Sequence, residues 1–446
     1  MDILMEMIIE EILIYSVVIS FCAITVYFYL RKLKVISKET EAKVAIAKEE
    51  GLFEPISLHP YIDLNTCIGS AACISACPEK DILGIVDGKA TVINTTNCIG
   101  HGACFHDCPV EAISLRIGTE TRGVDLPHIN ENFETNMKGI FIAGELGGMG
   151  LIKNSVEQGK QAIDSILKSR KKEVVGILDL VIIGAGPAGI SASLAAKKNN
   201  LNSITLEQNS LGGTVYTFPR SKIVMTSPMN LPLKGKVKLY NTSKDELLDL
   251  WNEVISKNKL EIKENCKVEN VIPLENGSFK VTINNGKDYL TNNVLLAIGR
   301  RGSPRKLNIK GEESQKVAYR LLEPERISNK KIIVIGGGDS AIESALLLKD
   351  ENDVILSYRK DKFSRLKPKN KENILKAQSD NSLKIMFNSN ISEINDSSIV
   401  INTKDEAQKI MNDLVYIFAG GELPTEFLKN SGIAISKRFA YIVKKH

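Results

Sequence analysis

The sequence predicts a chain of mixed class, α+β followed by α/β. It reads as an amino-terminal transmembrane helix, a small α+β unit built on an internal cysteine repeat, and two three-layer strand–glycine loop–helix domains in tandem. Three observations carry this. Residues 12–30 contain no charged side chain, residues 67–109 contain two copies of one cysteine ladder, and a glycine-rich turn follows an apolar strand twice, at Gly184 and at Gly336. With 446 residues, 43% apolar and 25% charged, the chain has material for several buried cores. Its formal charge of +5 is spread over many Lys and Arg, which suits a solvated surface and argues against a nucleic-acid footprint.

The uncharged run comes first. About twenty such residues cross a hydrocarbon core. The acids Asp2, Glu6, Glu10 and Glu11 precede it, where a cleaved signal peptide would carry basic residues. Arg31, Lys32 and Lys34 follow it, and the positive-inside rule then puts everything downstream in the cytoplasm. Residues 1–34 are therefore expected to be a single-pass anchor. Residues 35–58 read as a short charged helical stalk, ended by Pro55 and Pro60.

The ladder occupies an expected domain at 59–117. Cys67, Cys73 and Cys77 precede Pro78, and Cys98, Cys104 and Cys108 precede Pro109. This is the C-x2-C-x2-C-x3-C-P register of bacterial ferredoxins, in which the last Cys of each run ligates the other cluster. The second position of each run is Ser70 or His101 in place of Cys. By ferredoxin logic one centre takes Cys67, Cys73 and Cys108, and the other takes Cys98, Cys104 and Cys77. The fourth iron of each is held by Ser70 or His101, binds water, or is absent, so that four-iron and three-iron centres both stay open. Thiolate-held iron also calls for a reducing compartment.

From residue 173 the pattern changes. Leu180-Val181-Ile182-Ile183 reads as a buried parallel strand, followed by Gly184-Ala185-Gly186-Pro187-Ala188-Gly189 and a helix. Glu207 ends the next strand. This is the dinucleotide fingerprint in its required context: Gly184 for the turn, Gly186 for approach of a pyrophosphate, Gly189 for helix–strand contact, and Glu207 for a ribose hydroxyl pair. A second copy at Gly336, Gly338 and Ala341 leads to a strand that ends without an acid and runs into Arg359, Lys360 and Arg365. Basic groups there suit a 2′-phosphate and favour NADP over NAD.

Two such folds in tandem, with Leu211-Gly212-Gly213-Thr214, Ala297-Ile298-Gly299-Arg300 and Ala419-Gly420-Gly421-Glu422 in order, resemble the thioredoxin-reductase-like branch of the flavin-dependent pyridine nucleotide reductases. The resemblance implies FAD on the first fold (173–304), with Gly213 and Thr214 at the cofactor, and NAD(P) on the second (305–446). Thr135-Asn136-Met137-Lys138-Gly139-Ile140-Phe141-Ile142-Ala143-Gly144-Glu145 resembles the family's flavin-closing segment, yet it stands ahead of the first glycine loop. A circular permutation is inferred, with residues 118–172 as the displaced piece and Gly144 and Glu145 at the flavin. The family's C-x-x-C is missing, since Cys266 is the one cysteine after residue 108.

The expected function is a membrane-anchored oxidoreductase that moves electrons between NADPH, FAD and two iron–sulfur centres, to or from a one-electron carrier protein or membrane redox partner. No acid–base residue is required, because the cofactors carry the chemistry. A homodimer is admitted. The rival readings are a low-molecular-weight disulfide reductase and a redox-sensing membrane protein.

Overall fold

The protein is described from a computed structural model, which covers all residues except 1, 50–54, 56–57, 80, 96–97, 99, 101, 148–150, 169–175, 219–222, 226–227, 240, 301, 303, 364–365, 404–405 and 445–446. His101 and Arg365 therefore lie outside the described residues. The chain forms two compact units, residues 1–122 with 439–446, and residues 123–438.

In the first unit, helix α1 (Asp2–Glu49) runs unbroken from the apolar stretch into the charged one. Residues 13–30 are exposed throughout, whereas Ser37, Thr40 and Ala47 are buried. The expected stalk is thus a packed part of the unit. Pro60 does not end the helix. It lies inside strand β1 (Leu58–Ile62), where an edge strand tolerates the missing donor. Helix α2 (Ala72–Ala76) follows the first cysteine loop. Strands β2 (Leu83–Val86) and β3 (Lys89–Val92) make a hairpin through Asp87 and Gly88, both at positive φ, the two-residue turn that matches strand twist. Helix α3 (Ala103–His106) follows the second cysteine loop and leads to β4 (Ile113–Ile117), which pairs with β1. Ile82, Leu83, Phe105, Ile113, Leu115 and Ile117 form the core.

The second unit opens with β5 (Val124–Pro127), then β6 (Ile140–Ile142), a 3₁₀ turn at Glu145–Gly147 and α4 (Ile152–Lys168). Strand β7 (Leu178–Ile183), α5 (Pro187–Lys198) and β8 (Ser203–Leu206) carry the first glycine loop. Two small antiparallel pairs come next, β9 (Ile223–Met225) with β12 (Asn241–Ser243) and β10 (Met229–Leu231) with β11 (Gly235–Val237). Helix α6 (Lys244–Asn258) starts on a Ser243–Glu246 capping box and is followed by β13 (Ile262–Lys263). Strands β14 (Val268–Pro273), β15 (Phe279–Ile283) and β16 (Asp288–Leu296) complete a sheet ordered β13-β8-β7-β16-β15-β14, with β6 on β16.

Pairing of β6 with β16 is parallel, Ile140 opposite Val294 and Ile142 opposite Leu296. The displaced segment thus supplies a strand of the sheet that carries the first glycine loop, as the permutation requires. Period-two alternation builds the layers. Leu180, Ile182, Phe141 and Leu295 face α4 and α5, and Val181, Ile183, Ile140 and Leu296 pack with Val271, Phe279 and Val281 of β14 and β15.

The second dinucleotide fold has the parallel sheet β17-β24-β18-β19-β20, formed by β17 (Val317–Ala318), β18 (Lys331–Ile335), β19 (Asp353–Ser357), β20 (Lys384–Met386) and β24 (Leu414–Ile417). Helices α7 (Asp339–Leu348) and α8 (Pro368–Ser379) flank it, and β21 (Asn390–Ile394), β22 (Ser398–Asn402) and β23 (Ala407–Met411) form an antiparallel layer. After α9 (Thr425–Asn430), β25 (Ile435–Arg438) pairs with β5. The last strand, β26 (Tyr441–Lys444), pairs with β4 and so belongs to the sheet of the first unit, not to the second dinucleotide fold. Its register shifts between Ile442 and Lys444.

Candidate functional site

The six ladder cysteines are all present among the described residues, with Cys67, Cys73 and Cys104 buried and Cys77, Cys98 and Cys108 half-buried. They fall into two neighbourhoods. Burial raises the Cys73 thiol above its ordinary range, and negative charge on Cys67 and Cys108 would raise it further. Burial pushes Cys104 up to about 12, helped by Cys98, then Cys77 and Cys73. Burial likewise takes Cys98 up to about 11, with its neighbour Cys77 adding to it. Cys67 and Cys108 thus stand near Cys73, while Cys104 stands near Cys98 and Cys77 and also near Cys73. Buried in this way, Cys73, Cys98 and Cys104 favour the protonated form, and bound iron would stabilise their thiolates.

The chemistry of the donor set fits iron–sulfur ligation. Backbone N–H groups of Gly69 and Ala90 donate to Cys67 Sγ at 3.4 Å, that of Gly100 to Cys98 Sγ at 3.4 Å, and that of Ala112 to Cys108 Sγ at 3.3 Å. Such bonds to cluster sulfurs set reduction potential. A pocket is lined by Cys67, Cys73, Cys108 and Ser70, with Ile62, Val110 and Ile113 around them. Among the described residues, no group of three or more Cys, His, Asp or Glu side chains could hold a lone metal ion.

At the first glycine loop, a Cβ on Gly189 would stand 1.8 Å from Gly184 O, so helix and strand close up only through glycine. A Cβ on Gly186 would meet nothing within 4 Å, which leaves a cradle for a pyrophosphate at the amino end of α5. Glu207 is 5% exposed. Its carboxylate accepts from Ala185 N at 2.7 Å and Asn209 N at 3.0 Å, and each oxygen keeps a lone pair for a ribose hydroxyl. A Cβ on Gly213 would stand 3.3 Å from Gly186 Cα, Thr214 is next in the chain, and Gly212 N donates to Ala185 O at 3.0 Å. A Cβ on Gly144 would stand 3.1 Å from Ala188 Cβ. The displaced segment therefore touches the loop helix, with Glu145 next in the chain. Gly184, Gly186, Gly189, Glu207, Gly213, Thr214, Gly144 and Glu145 converge on one region.

At the second loop, Gly338 caps α7 in extended conformation and Ala341 is buried. Gly336 has a φ of +141°. Arg359 and Lys360 follow β19 and are exposed, a disposition open to an anion.

Sequence reasoning missed several features here. Tyr358 lies over Gly337, whose Cβ would meet its ring at 2.2 Å, and it stacks on Phe363 at 5.5 Å. Gln158 Oε1 accepts from Gly144 N at 2.8 Å, and Ser191 Oγ donates to Val156 O at 2.6 Å, tying α4 to α5. Burial lowers the pKa of the Arg300 guanidinium, against the opposing pull of Glu145 and Asp125. It lines a shallow pocket with Leu146, Leu423 and Leu428. The small residues 185–189 and 192 were a visible signal for the α4–α5 contact, but the identity of the partner helix was not. Cys266 packs on the core of the first fold, beside Glu207, where its N–H donates to Glu207 O at 2.8 Å.

Two dinucleotide folds and a cysteine-lined α+β unit on one chain define a nucleotide-dependent redox protein. Comparison with known proteins agrees. The family described as pyridine nucleotide-disulphide oxidoreductase matches residues 181–445, and a 4Fe-4S dicluster domain matches residues 59–109. Bacilliredoxin reductase Bdr of Bacillus subtilis (strain 168) is 24% identical over 263 residues, which span 58% of this chain and 81% of that protein. A ferredoxin–NADP reductase of Ignicoccus hospitalis is 26% identical over 266 residues, 57% of this chain and 81% of that protein. The solved bacillithiol disulfide reductase Bdr of Staphylococcus aureus shares the fold at a TM-score of 0.50 and 23% identity, covering 59% of this chain and 85% of that one. The chain belongs to the pyridine nucleotide-disulphide oxidoreductase family. It is an FAD-dependent NAD(P)H oxidoreductase with an iron–sulfur domain.

Proposed function

We propose that the protein is a membrane-anchored oxidoreductase that moves electrons between NADPH and a one-electron partner through FAD and two iron–sulfur centres. When bound, these groups supply hydride exchange and one-electron transfer. One NADPH then balances two single electrons and one proton, in either direction. The observation that carries this reading is the pocket lined by Cys67, Cys73, Cys108 and Ser70, with backbone N–H groups donating to the sulfurs of Cys67, Cys98 and Cys108. Relatives named ferredoxin–NADP reductase support it, since this chain carries a ferredoxin-type domain of its own.

The chain's own residues bind and orient. Gly184, Gly186 and Gly189 open the amino end of α5 to pyrophosphate, and Glu207 takes a ribose. Gly213 and Thr214 close over that loop. Gly144 and Glu145 bring the start of α4 to the same place, and its dipole favours negative charge there. Gly336, Gly338 and Ala341 hold the second nucleotide, with Arg359 and Lys360, and Arg365 by its place in the sequence, toward a 2′-phosphate. Cys67, Cys73 and Cys108 hold one centre and Cys98, Cys104 and Cys77 the other, with Ser70 or His101 at the fourth place. The exposed residues 13–30 and the cations behind them favour a single span with the catalytic part in the cytoplasm.

The test is anaerobic purification of the full chain, followed by iron and sulfide analysis and low-temperature EPR before and after NADPH. Two signals that appear or change with NADPH are expected. Flavin without iron and acid-labile sulfide would refute the assignment. A second reading, disulfide reduction, is favoured by the likeness to the two Bdr proteins. Disulfide turnover that survives in a Cys73→Ser/Cys104→Ser variant would support it.

A further inference from the structure

We propose that the Cys67–Cys73–Cys108 centre is the membrane-side end of the electron path. Helix α1 holds it at a fixed height above the bilayer, and its partner is an integral membrane protein with a one-electron cofactor at the cytoplasmic surface. This rests on the reading of residues 13–30 as a span and of the six cysteines as cluster ligands.

Three contacts fix the direction of the first unit along α1. Lys43 Nζ meets Asp81 Oδ1 at 2.5 Å, the vacant Cβ position of Gly84 lies 2.5 Å from Thr40 Cγ2, and Ser37 Oγ accepts from Asp87 N at 3.1 Å. As the chain advances from Asp81 to Asp87, its helix partner falls from Lys43 to Ser37. Strand β2 therefore runs back toward the span, and the Asp87-Gly88 tip is its nearest point. Ser37 stands seven residues beyond Leu30, about 10 Å along the helix at 1.5 Å per residue.

The Cys67 loop lies against that tip. A Cβ on Gly69 would stand 1.9 Å from Gly88 O, Lys89 Nζ donates to Cys67 O at 2.5 Å, and Ala90 N donates to Cys67 Sγ at 3.4 Å. The other set is tied to the far end. Cys77 leads in four residues to Asp81, at the level of Lys43, which is six residues and about 9 Å further from the span. Helix α1 contains neither Gly nor Pro, the usual causes of kinks, so it acts as a rigid spacer.

The height selects the partner. A centre about 10 Å outside the hydrocarbon stands level with the cytoplasmic face of a protein in the same bilayer. Ile68 at 64% exposed and Leu64 at 54% flank Cys67, and Ile68 and Ser70 line the cavity, giving apolar contact beside the centre. One electron crosses in each encounter, with no bond made or broken and no proton moved.

The test uses the full chain in phosphatidylcholine vesicles that carry a gadolinium-chelate headgroup lipid. EPR power saturation then reads the distance of each centre from the surface. The signal lost in Cys73→Ser should relax faster with gadolinium than the signal lost in Cys104→Ser. Ser70→Cys, which should alter the Cys67-side signal alone, gives the assignment independently of whether the Ser variants fold. Equal or inverted relaxation would overturn this inference and leave the proposed function standing. Release of the chain by carbonate, or absence of cluster signals, would overturn both. For the partner, seven residues inserted between Val35 and Ile36 lift the unit by about 10 Å on nearly the same face. Electron exchange with native membranes should be lost while NADPH–ferricyanide turnover stays. Undiminished exchange would overturn the partner.

Discussion

Gly186 gives a sharp test of the first nucleotide site, because its substitution separates folding from binding. Its φ is −78° with ψ near −174°, a conformation open to any residue, and a Cβ there would meet no atom within 4 Å. Gly186→Ala should therefore leave the apoprotein at least as stable, with a gain of about 0.4–1 kcal/mol from a restricted unfolded chain. The same methyl fills the space through which a pyrophosphate reaches the amino end of α5. Loss of one charge-assisted hydrogen bond costs about 1.5–3 kcal/mol, roughly ten- to a hundredfold in Kd. Apoprotein melting and titration of flavin fluorescence read the two effects separately. An FAD affinity equal to that of the parent chain would refute the placement of the pyrophosphate, and a large drop in apoprotein stability would refute the claim of open space.

Other outcomes follow from contacts of the same kind. In Gly159→Ala, the new Cβ would lie 2.2 Å from Ala188 O, so α4 and α5 must part. Overpacking costs about 1–3 kcal/mol and exceeds the roughly 1 kcal/mol gain in helix propensity, which urea unfolding will show. Burial works to raise the Glu312 carboxyl, but the N–H groups of Leu307, Asn308 and Ile309 and the hydroxyl of Tyr319 outweigh it and hold it below its ordinary value. Its stabilisation is therefore present above the unfolded value of about 4.3 and is lost as pH falls. Glu312→Gln should cost about 1–3 kcal/mol at pH 7, and the gap from the parent chain should shrink on acidification. Ending the chain at Arg438 removes β26 and bares one edge of β4, so the iron content of purified protein should fall, as measured by iron and sulfide analysis.

The parts of the site that were legible in the sequence are those where chemistry is local. The glycine loop, Glu207 and the cysteine register each place their residues within a short stretch, so spacing alone carried them. Even the displaced segment could be read, because Gly139, Phe141 and Gly144 keep their spacing wherever the segment stands in the chain. Contacts set by long-range pairing were not legible. Residues 441–444 look like a strand, but nothing in four residues says which sheet edge they will join. The stalk was misjudged for a similar reason. Its alternation of charge and alanine fits a free helix, and the burial of Ser37 and Thr40 depends on Asp87 and Gly84, some forty to fifty positions away.

The permutation has a structural cause that can be tested. In the second unit Val124 pairs with Arg438 and Pro127 with Ile435, so the unit's first and last strands are antiparallel neighbours. Paired residues in such a ladder stand about 4.5–5.5 Å apart at Cα, a gap that a two-residue turn closes. Chain ends that meet in this way can be joined, and the chain cut elsewhere, with little effect on packing. A chain that links Arg438 to Val124 through Asn-Gly and opens between α4 and β7 would restore the segment order of the family. It keeps the β6–β16 pairing, the α4–α5 contact and every residue placed around the first glycine loop. It should fold, unfold cooperatively and bind FAD within about tenfold of the parent affinity, a difference of about 1.4 kcal/mol. Failure to bind FAD by a soluble, cooperatively folded product would mean that the order of segments, and not only their neighbours, shapes the flavin site.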